Sequence, residues 1–400
     1  MPPIALGMKK IILQKGKEKS LQRFHPWVFS GAIGKKNSAL KDGDVVEVYD
    51  ASHNYLATGH FHDASIAVRI FSFQQMDTDK QFWKQKIERA IHFRKKLYFF
   101  DNEHTNMFRL INGEGDGMPG FIADWFNGHL VLQFHSYGMF LLKPLFVEIL
   151  TELLGDAILS IYDKSASTMP ELKGLHFSDE LIVGNVDEVL VKENGHHFYI
   201  DIVKGQKTGF FIDQRESRKL VGDLSKGKRV LNLFCYTGGF SVYALANGAA
   251  EVHSVDISQK AIEYADRNMN MNNPFQQPFH SYTDNVFDFL DNMPADYYDI
   301  VIVDPPAFAK HHKVKEQGIK GYRNINRRAI EKIKKGGFLF TFSCSQAIAR
   351  DEFQTLLFSS AVLENREMKV IKQLQQAIDH PIDIYHPEGS YLKGMMLYVE

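Results

Sequence analysis

The chain has 400 residues, 44% of them hydrophobic and 24% charged, with a net charge of −1 and only two cysteines, Cys235 and Cys344. That length exceeds what a single core sustains, so two or three domains are expected; two cysteines outside any CxxC spacing exclude a disulfide framework and suit a reducing cytosol. The start Met1-Pro-Pro-Ile-Ala-Leu-Gly7 lacks the segments of a signal peptide, and no apolar run reaches the about 18 residues of a membrane span, so a cytoplasmic protein with no membrane contact is expected.

Between Met1 and Lys41 there are nine Lys or Arg against one acid, Glu18. Short β segments follow one another at Lys9–Leu13, Val45–Tyr49, Tyr55–Phe61 and Ile66–Phe73, broken by turns such as Lys41-Asp-Gly-Asp44. They predict a small all-β module over residues 1–76. Asp79–Leu97 carries Phe82, Ile87, Ile91 and Phe93 among charges, which predicts an amphipathic helix. It opens an α+β region over 77–195, with strands at Gly120–Asp124 and His129–Phe134 and a helix near Lys143–Leu154. The stretch Asn112-Gly-Glu-Gly-Asp-Gly-Met-Pro-Gly120 lacks the Gly-Lys-Ser/Thr ending of a phosphate loop and reads as a tight turn.

From residue 196 to 400 the pattern changes. Strands at Val230–Phe234, Glu251–Asp256, Asp299–Asp304 and Gly337–Ser343, with a shorter one near His280–Thr283, alternate with helices near Phe240–Ala246, Gln259–Met269 and Asn324–Lys335. Such alternation of doubly buried strands and helices predicts an α/β domain with a doubly wound, Rossmann-like parallel sheet. A second basic run lies here: ten Lys or Arg against two acids between Lys310 and Lys335, with His311 and His312. Two such runs point to a polyanionic partner as readily as to solvated faces.

Ligands of doubly wound sheets sit beyond the carboxyl ends of the strands. The first strand runs into a glycine turn, Tyr236-Thr-Gly-Gly239, and 17 residues past Gly239 the second ends at Asp256, placed to bond a ribose hydroxyl. The turn is not GxGxxG, so a cofactor without phosphates fits better than a dinucleotide. The next strand leads to Asp284-Asn285, and another ends in Asp304-Pro-Pro306. The two prolines stiffen that loop and hold Asp304 at the strand tip, where a carboxylate meets a polar substrate edge, with Phe308 placed to stack on a base. Cys344 stands where the strand Gly337–Ser343 meets a loop; a buried small residue and a presented nucleophile are both readings of such a cysteine. His196-His197 and His311-His312 lack metal spacing, and no metal site is expected.

Leu233-Phe-Cys-Tyr-Thr-Gly-Gly-Phe-Ser241, Val303-Asp-Pro-Pro-Ala-Phe308, Thr341-Phe-Ser-Cys-Ser345 and Gly205-Gln-Lys-Thr-Gly-Phe-Phe-Ile-Asp-Gln-Arg215 together resemble the bacterial large-subunit ribosomal RNA cytosine-5 methyltransferase family. So do His380-Pro381, Pro387-Glu-Gly389 and Tyr391-Leu-Lys-Gly394. Arg23-Phe-His-Pro-Trp-Val-Phe-Ser-Gly31 resembles the start of that family's RNA-binding PUA domain, and Asn112–Gly120 its central domain. The resemblance implies a class I methyltransferase domain over 196–400 behind a PUA-like and a central domain, S-adenosylmethionine as cofactor and ribosomal RNA as partner; it leaves room for a homodimer. It implies that Tyr236, Thr237, Gly238, Gly239, Asp256, Asp284, Asn285 and Asp304 bind the cofactor. On the same resemblance Asp304 would also face the base, and Cys344 would be the nucleophile. Pro305, Pro306, Phe308, Lys310, Lys313, Lys315 and Arg323 would meet the RNA, while Cys235 is packing. An ordinary thiol is only a few per cent thiolate at neutral pH, so Cys344 needs activation by a helix start at Gln346 or by a nearby base. Two rivals are a methyltransferase acting on a base nitrogen, which needs no thiol, and a non-catalytic RNA-binding protein.

Overall fold

The computed structural model describes residues 9–36, 40–309 and 314–400; Lys310, His311, His312 and Lys313 lie outside them. Two compact units emerge: Met1–Val189 with Asp201–Gly209 and Ile378–Gly389, and Leu190–Ile200 with Phe210–Ala377 and Ser390–Glu400. The chain leaves the first unit after Val189 and returns to it twice, at Asp201–Gly209 and Ile378–Gly389.

The first unit holds two sheets, each with its own apolar cluster. A six-stranded sheet takes the order Trp27–Phe29, Ile66–Ser72, Tyr55–Phe61, Val45–Tyr49, Lys9–Leu13, Ile33–Lys36. Alternate residues Ile11, Leu13, Val46, Val48, Val68 and Ile70 fill its core. A five-stranded sheet spans Met107–Asn112 to Glu180–Gly184 and packs an aromatic core, with Trp83, Phe108, Phe121, Phe134 and Phe146 among its members. The helix Lys80–Lys96 is capped by Asp79, whose side chain accepts from Phe82 N. The glycine run at 112–120 is a short 3-10 turn, Gly113–Asp116, between strands. Arg94, fully buried, pins it through paired bonds to Asp116 at 2.5 and 2.8 Å. This stretch is a structural turn.

The second unit is built on seven strands: β1 Arg229–Leu233, β2 Glu251–Asp256, β3 Phe279–Thr283, β4 Ile300–Val303, β5 Phe338–Ser343, β6 Met368–Leu374 and β7 Lys393–Val399. Their order is β3-β2-β1-β4-β5-β7-β6. β1 to β5 pair in parallel, and β7 runs antiparallel to both β5 and β6. The helices are α1 Arg215–Leu224, α2 Gly239–Ala246, α3 Gln259–Met271, α4 Val286–Asn292, α5 Lys315–Lys332 and α6 Arg350–Leu363. Runs such as Ile300-Val-Ile-Val303 are buried throughout, as central strands covered on both faces must be. Strand order reverses between β1 and β4, so the ligand crevice of such a sheet opens above these two strands.

Candidate active site

Leu233 pairs with both Val255 and Val303, and Val303 with Thr341. One residue further along, Asp256, Asp304 and Phe342 therefore lie at a common level near the ends of β2, β4 and β5, and Cys344 follows Phe342 by two residues, just past the end of β5. After β1 the backbone takes positive φ at Phe234, Tyr236 and Gly238 (57°, 47° and 80°), a cramped turn that delivers the start of α2 to the sheet's edge. Gly238 has no alternative: a Cβ there would lie 3.0 Å from that of Ala265 at an unfavourable φ. The Asp256 carboxylate is fixed by backbone donors on both sides, accepting from Tyr236 N and Ser258 N, each at 2.9 Å. Thr237 Oγ1 is buried and meets no hydrogen-bond partner among the described residues. Asp284 and Asn285 are exposed beyond β3; Asn285 also caps α4, accepting from Phe287 N at 2.9 Å.

Asp304 is half-buried at the tip of β4. Burial, followed by the neighbouring Asp213 carboxyl, raises its pKa to about 7, although the Arg218 charge and a 3.2 Å bond from Gln214 Nε2 oppose the rise. Arg218 is itself held by Glu193 through two 2.7 Å bonds, and Asp213 accepts from Tyr391 OH at 2.6 Å. The loop after Asp304 is tied to the cysteine loop: Ser345 Oγ accepts from Ala309 N at 3.1 Å and bonds Tyr322 OH at 2.9 Å. Cys344, between Ser343 and Ser345, is half-buried, whereas Cys235 is 5% exposed and burial pushes its thiol well above the ordinary range. The two thiols thus differ in exposure, Cys235 enclosed and Cys344 partly open.

Residues 177–390 match the S-adenosylmethionine-dependent methyltransferase family and residues 11–73 a PUA-like domain. Curated relatives named ribosomal RNA large subunit methyltransferase I are 38% identical in Erwinia tasmaniensis, 37% in an Enterobacter species and 36% in Yersinia pseudotuberculosis, each over 96% of this chain and 98% of the relative. The chain belongs to the ribosomal RNA large subunit methyltransferase I family. The fold agrees: a Streptococcus mutans protein described as a candidate S-adenosylmethionine-dependent methyltransferase aligns over 98% of this chain and 100% of its own at a TM-score of 0.85 and 21% identity. A candidate methyltransferase complexed with S-adenosylhomocysteine aligns over the same shares at 0.84.

The cofactor of this large subunit methyltransferase I family member is S-adenosylmethionine, and the residues at the sheet edge fit it. Asp213, Asp256 and Asp284 make the edge anionic beside the raised Asp304 carboxyl, and Arg218 is neutralised by Glu193. Such a set repels a pyrophosphate and favours a sulfonium cation and ribose hydroxyls. Thr237 Oγ1 offers a further polar contact.

The geometry qualifies several expectations. No helix starts at Gln346; α6 begins at Arg350, because Ser345 and its bonds hold the intervening chain in a loop, so its dipole does not adjoin Cys344. Phe308 packs against Tyr322 and Phe234, at 4.8 and 6.5 Å between ring centres, rather than standing alone for a base. Pro305 is buried and Pro306 exposed. α5 starts at Lys315, nine residues before the expected Asn324. Lys315 pairs with Glu352 at 2.6 Å, while Arg323 is exposed; Lys310 and Lys313 lie outside the described residues. Asp213 and Gln214, which adjust Asp304, have no assigned role in the sequence reading. The run Gly205–Arg215 signals them, but their convergence on β4 exists only in the fold.

Proposed function

We propose that the protein methylates carbon-5 of a cytosine in large-subunit ribosomal RNA through a covalent adduct with Cys344. The observation that carries this reading is a half-buried thiol and a carboxyl raised to about 7 at the carboxyl ends of two adjacent parallel strands. Carbon-5 of cytosine is a poor nucleophile. Addition of the Cys344 thiolate to carbon-6, with Asp304 donating its proton to the ring nitrogen N3, makes carbon-5 enamine-like. Bound S-adenosylmethionine supplies an electrophilic methyl on a sulfonium. After carbon-5 has taken the methyl, a general base or water takes the carbon-5 proton while the sulfur–carbon-6 bond breaks and the thiolate leaves; N3 then returns its own proton to Asp304. The base must come from a single strand or leave its stack to reach this edge. The relatives' names and the PUA-like match support RNA as the substrate.

RNA carrying 5-fluorocytidine tests the scheme, because fluorine cannot leave as a proton does. Wild-type protein should form an adduct that maps to Cys344, absent from Cys344→Ala; Cys235→Ser should still form it. A fully active Cys344→Ala would refute the covalent route and favour methylation at nitrogen.

A further inference from the structure

Of the two activators the sequence allows for Cys344, the helix start is displaced to Arg350, so the fold must supply another. Tyr322 lies near the thiol, but burial raises its hydroxyl, so it is neutral and contributes no positive charge. Beside the same stretch stands Lys393, the first residue of β7. It is the register partner of Ser343, the last residue of β5, and is 4% exposed. Its Nζ donates to the carbonyl oxygen of Ser345 at 2.8 Å. The lysine thus grips the residues on both sides of Cys344.

We propose that Lys393 is the cation that holds Cys344 as a thiolate at neutral pH. This rests on Cys344 being the nucleophile. A buried ammonium needs a counter-charge, and no carboxylate among the described residues acts on it. The groups that do act are Cys344, whose thiolate favours the protonated lysine, and Arg350 at the start of α6, which disfavours it. Arg350 is turned to the Leu374 and Leu392 carbonyls, at 3.2 and 3.1 Å, and leaves the thiol to Lys393. Burial lowers the Lys393 pKa to about 8, so the ammonium persists through neutral pH and is lost above it. The lysine–thiolate pair is therefore populated only between the ionisation of the thiol and that of the lysine, near pH 8, while the thiolate itself persists at higher pH. An opposite charge within about 4–6 Å moves an ionisation midpoint by about 1–3 pH units. Lys393 is a positioning residue here: it acts through the sulfur rather than on the base.

The pH dependence of iodoacetamide alkylation, read by peptide mapping so that Cys344 and Cys235 are separated, tests the pair without RNA or cofactor. In the wild type the Cys344 midpoint should lie at least about one pH unit below the ordinary thiol value of about 8.5. Lys393→Gln, which keeps a donor for the Ser345 carbonyl, should raise it by at least about one unit, and Lys393→Arg should restore it. Unfolding curves confirm that the variants are folded; Lys393→Met is the alternative neutral variant. A wild-type midpoint at or above about 8.5 overturns the proposal even if no variant folds. So do equal midpoints in wild type and the neutral variants. If the midpoint shifts as expected but 5-fluorocytidine RNA traps no adduct, the lysine–thiolate pair stands and the covalent reading falls.

Discussion

At neutral pH Asp304 carries its proton on about half of the molecules, since its pKa lies at about 7. A carboxyl so tuned gives and takes a proton readily, which suits the proton exchange with a ring nitrogen proposed for it. The same shift weakens the fold. Because the folded pKa lies above the unfolded value of 3.8, the native state binds more protons than the unfolded chain between about pH 4 and 7. Stability from this group is full below pH 4, declines as pH rises, and levels off above about 7. Asp304→Asn cannot ionise, so it should be more stable than wild type at pH 8, by on the order of 2–4 kcal/mol, and show no such decline between pH 4 and 7. Its methyl transfer should fall about 10²–10⁴-fold. Urea unfolding at several pH values decides the first claim; a wild-type advantage at pH 8 would show that Asp304 is ionised and well paired. Asp304 and Cys344 were legible because each ends a recognisable strand. Lys393 and Gln214 stand in stretches that the sequence singles out, but their place beside the strand ends was not legible, since they come from distant segments and arrive through the β5–β7 register and the turn before α1.

Helix α5 shows why an element can be misjudged from its letters. Gly318 and Gly321 weaken any helical reading of its first turns, so the expected start fell at Asn324. The packing is close at both glycines, but only Gly318 is required. A Cβ on Gly318 would lie 2.5 Å from the Ala309 Cβ and 3.0 Å from its backbone nitrogen; one on Gly321 would lie 3.1 Å from the edge of the Phe308 ring. The helix thus lies directly against the loop that follows Asp304. Alanine in an exposed helix gains about 1 kcal/mol over glycine, but overpacking costs about 1–3 kcal/mol. At Gly318 the obstacle is the Ala309 Cβ and the backbone that fixes it, and the cost wins: Gly318→Ala should lose about 1–2 kcal/mol and slow methyl transfer by displacing the loop. At Gly321 a ring edge can yield, and Gly321→Ala should be within about 0.5 kcal/mol of wild type. Denaturant midpoints for the two variants check this. A stabilised Gly318→Ala would mean that the loop does not approach the helix so closely. The strands carried no such conflict, and β2 spans Glu251–Asp256 as its pattern predicts. The exposed residues of β6 gave no alternation to read, which hid the β6–β7 pair that brings Lys393 to the site.

Across the whole molecule, the sequence shows where basic residues cluster but not which of them acids neutralise. Within 315–335, Lys315, Arg327, Arg328 and Lys334 pair with Glu352, Glu364, Asp291 and Asp299 at 2.6, 2.7, 2.5 and 3.1 Å. In the N-terminal run, Lys15, Lys17, Lys19 and Arg23 are exposed and have no ion-pair partner among the described residues. Division into units was equally hidden, because a segment such as Ile378–Gly389 joins the first unit across hundreds of residues of chain. The charge pattern bears directly on RNA binding. A cation already paired must give up its partner to meet a phosphate, whereas an open one releases counterions, with a log–log salt slope of about 0.7 per contact on single strands. Changing Lys15, Lys17, Lys19 and Arg23 together to Gln should flatten the slope by about 1–3 and leave S-adenosylmethionine affinity unchanged. Changing Arg327, Arg328 and Lys334 together should move it by less than about 0.7. Titrations of RNA between about 50 and 200 mM salt separate the two sets. A slope unaffected by the first set but flattened by the second would place the phosphate contacts on α5, and pairing with acids would then be no guide to which cations the RNA reads.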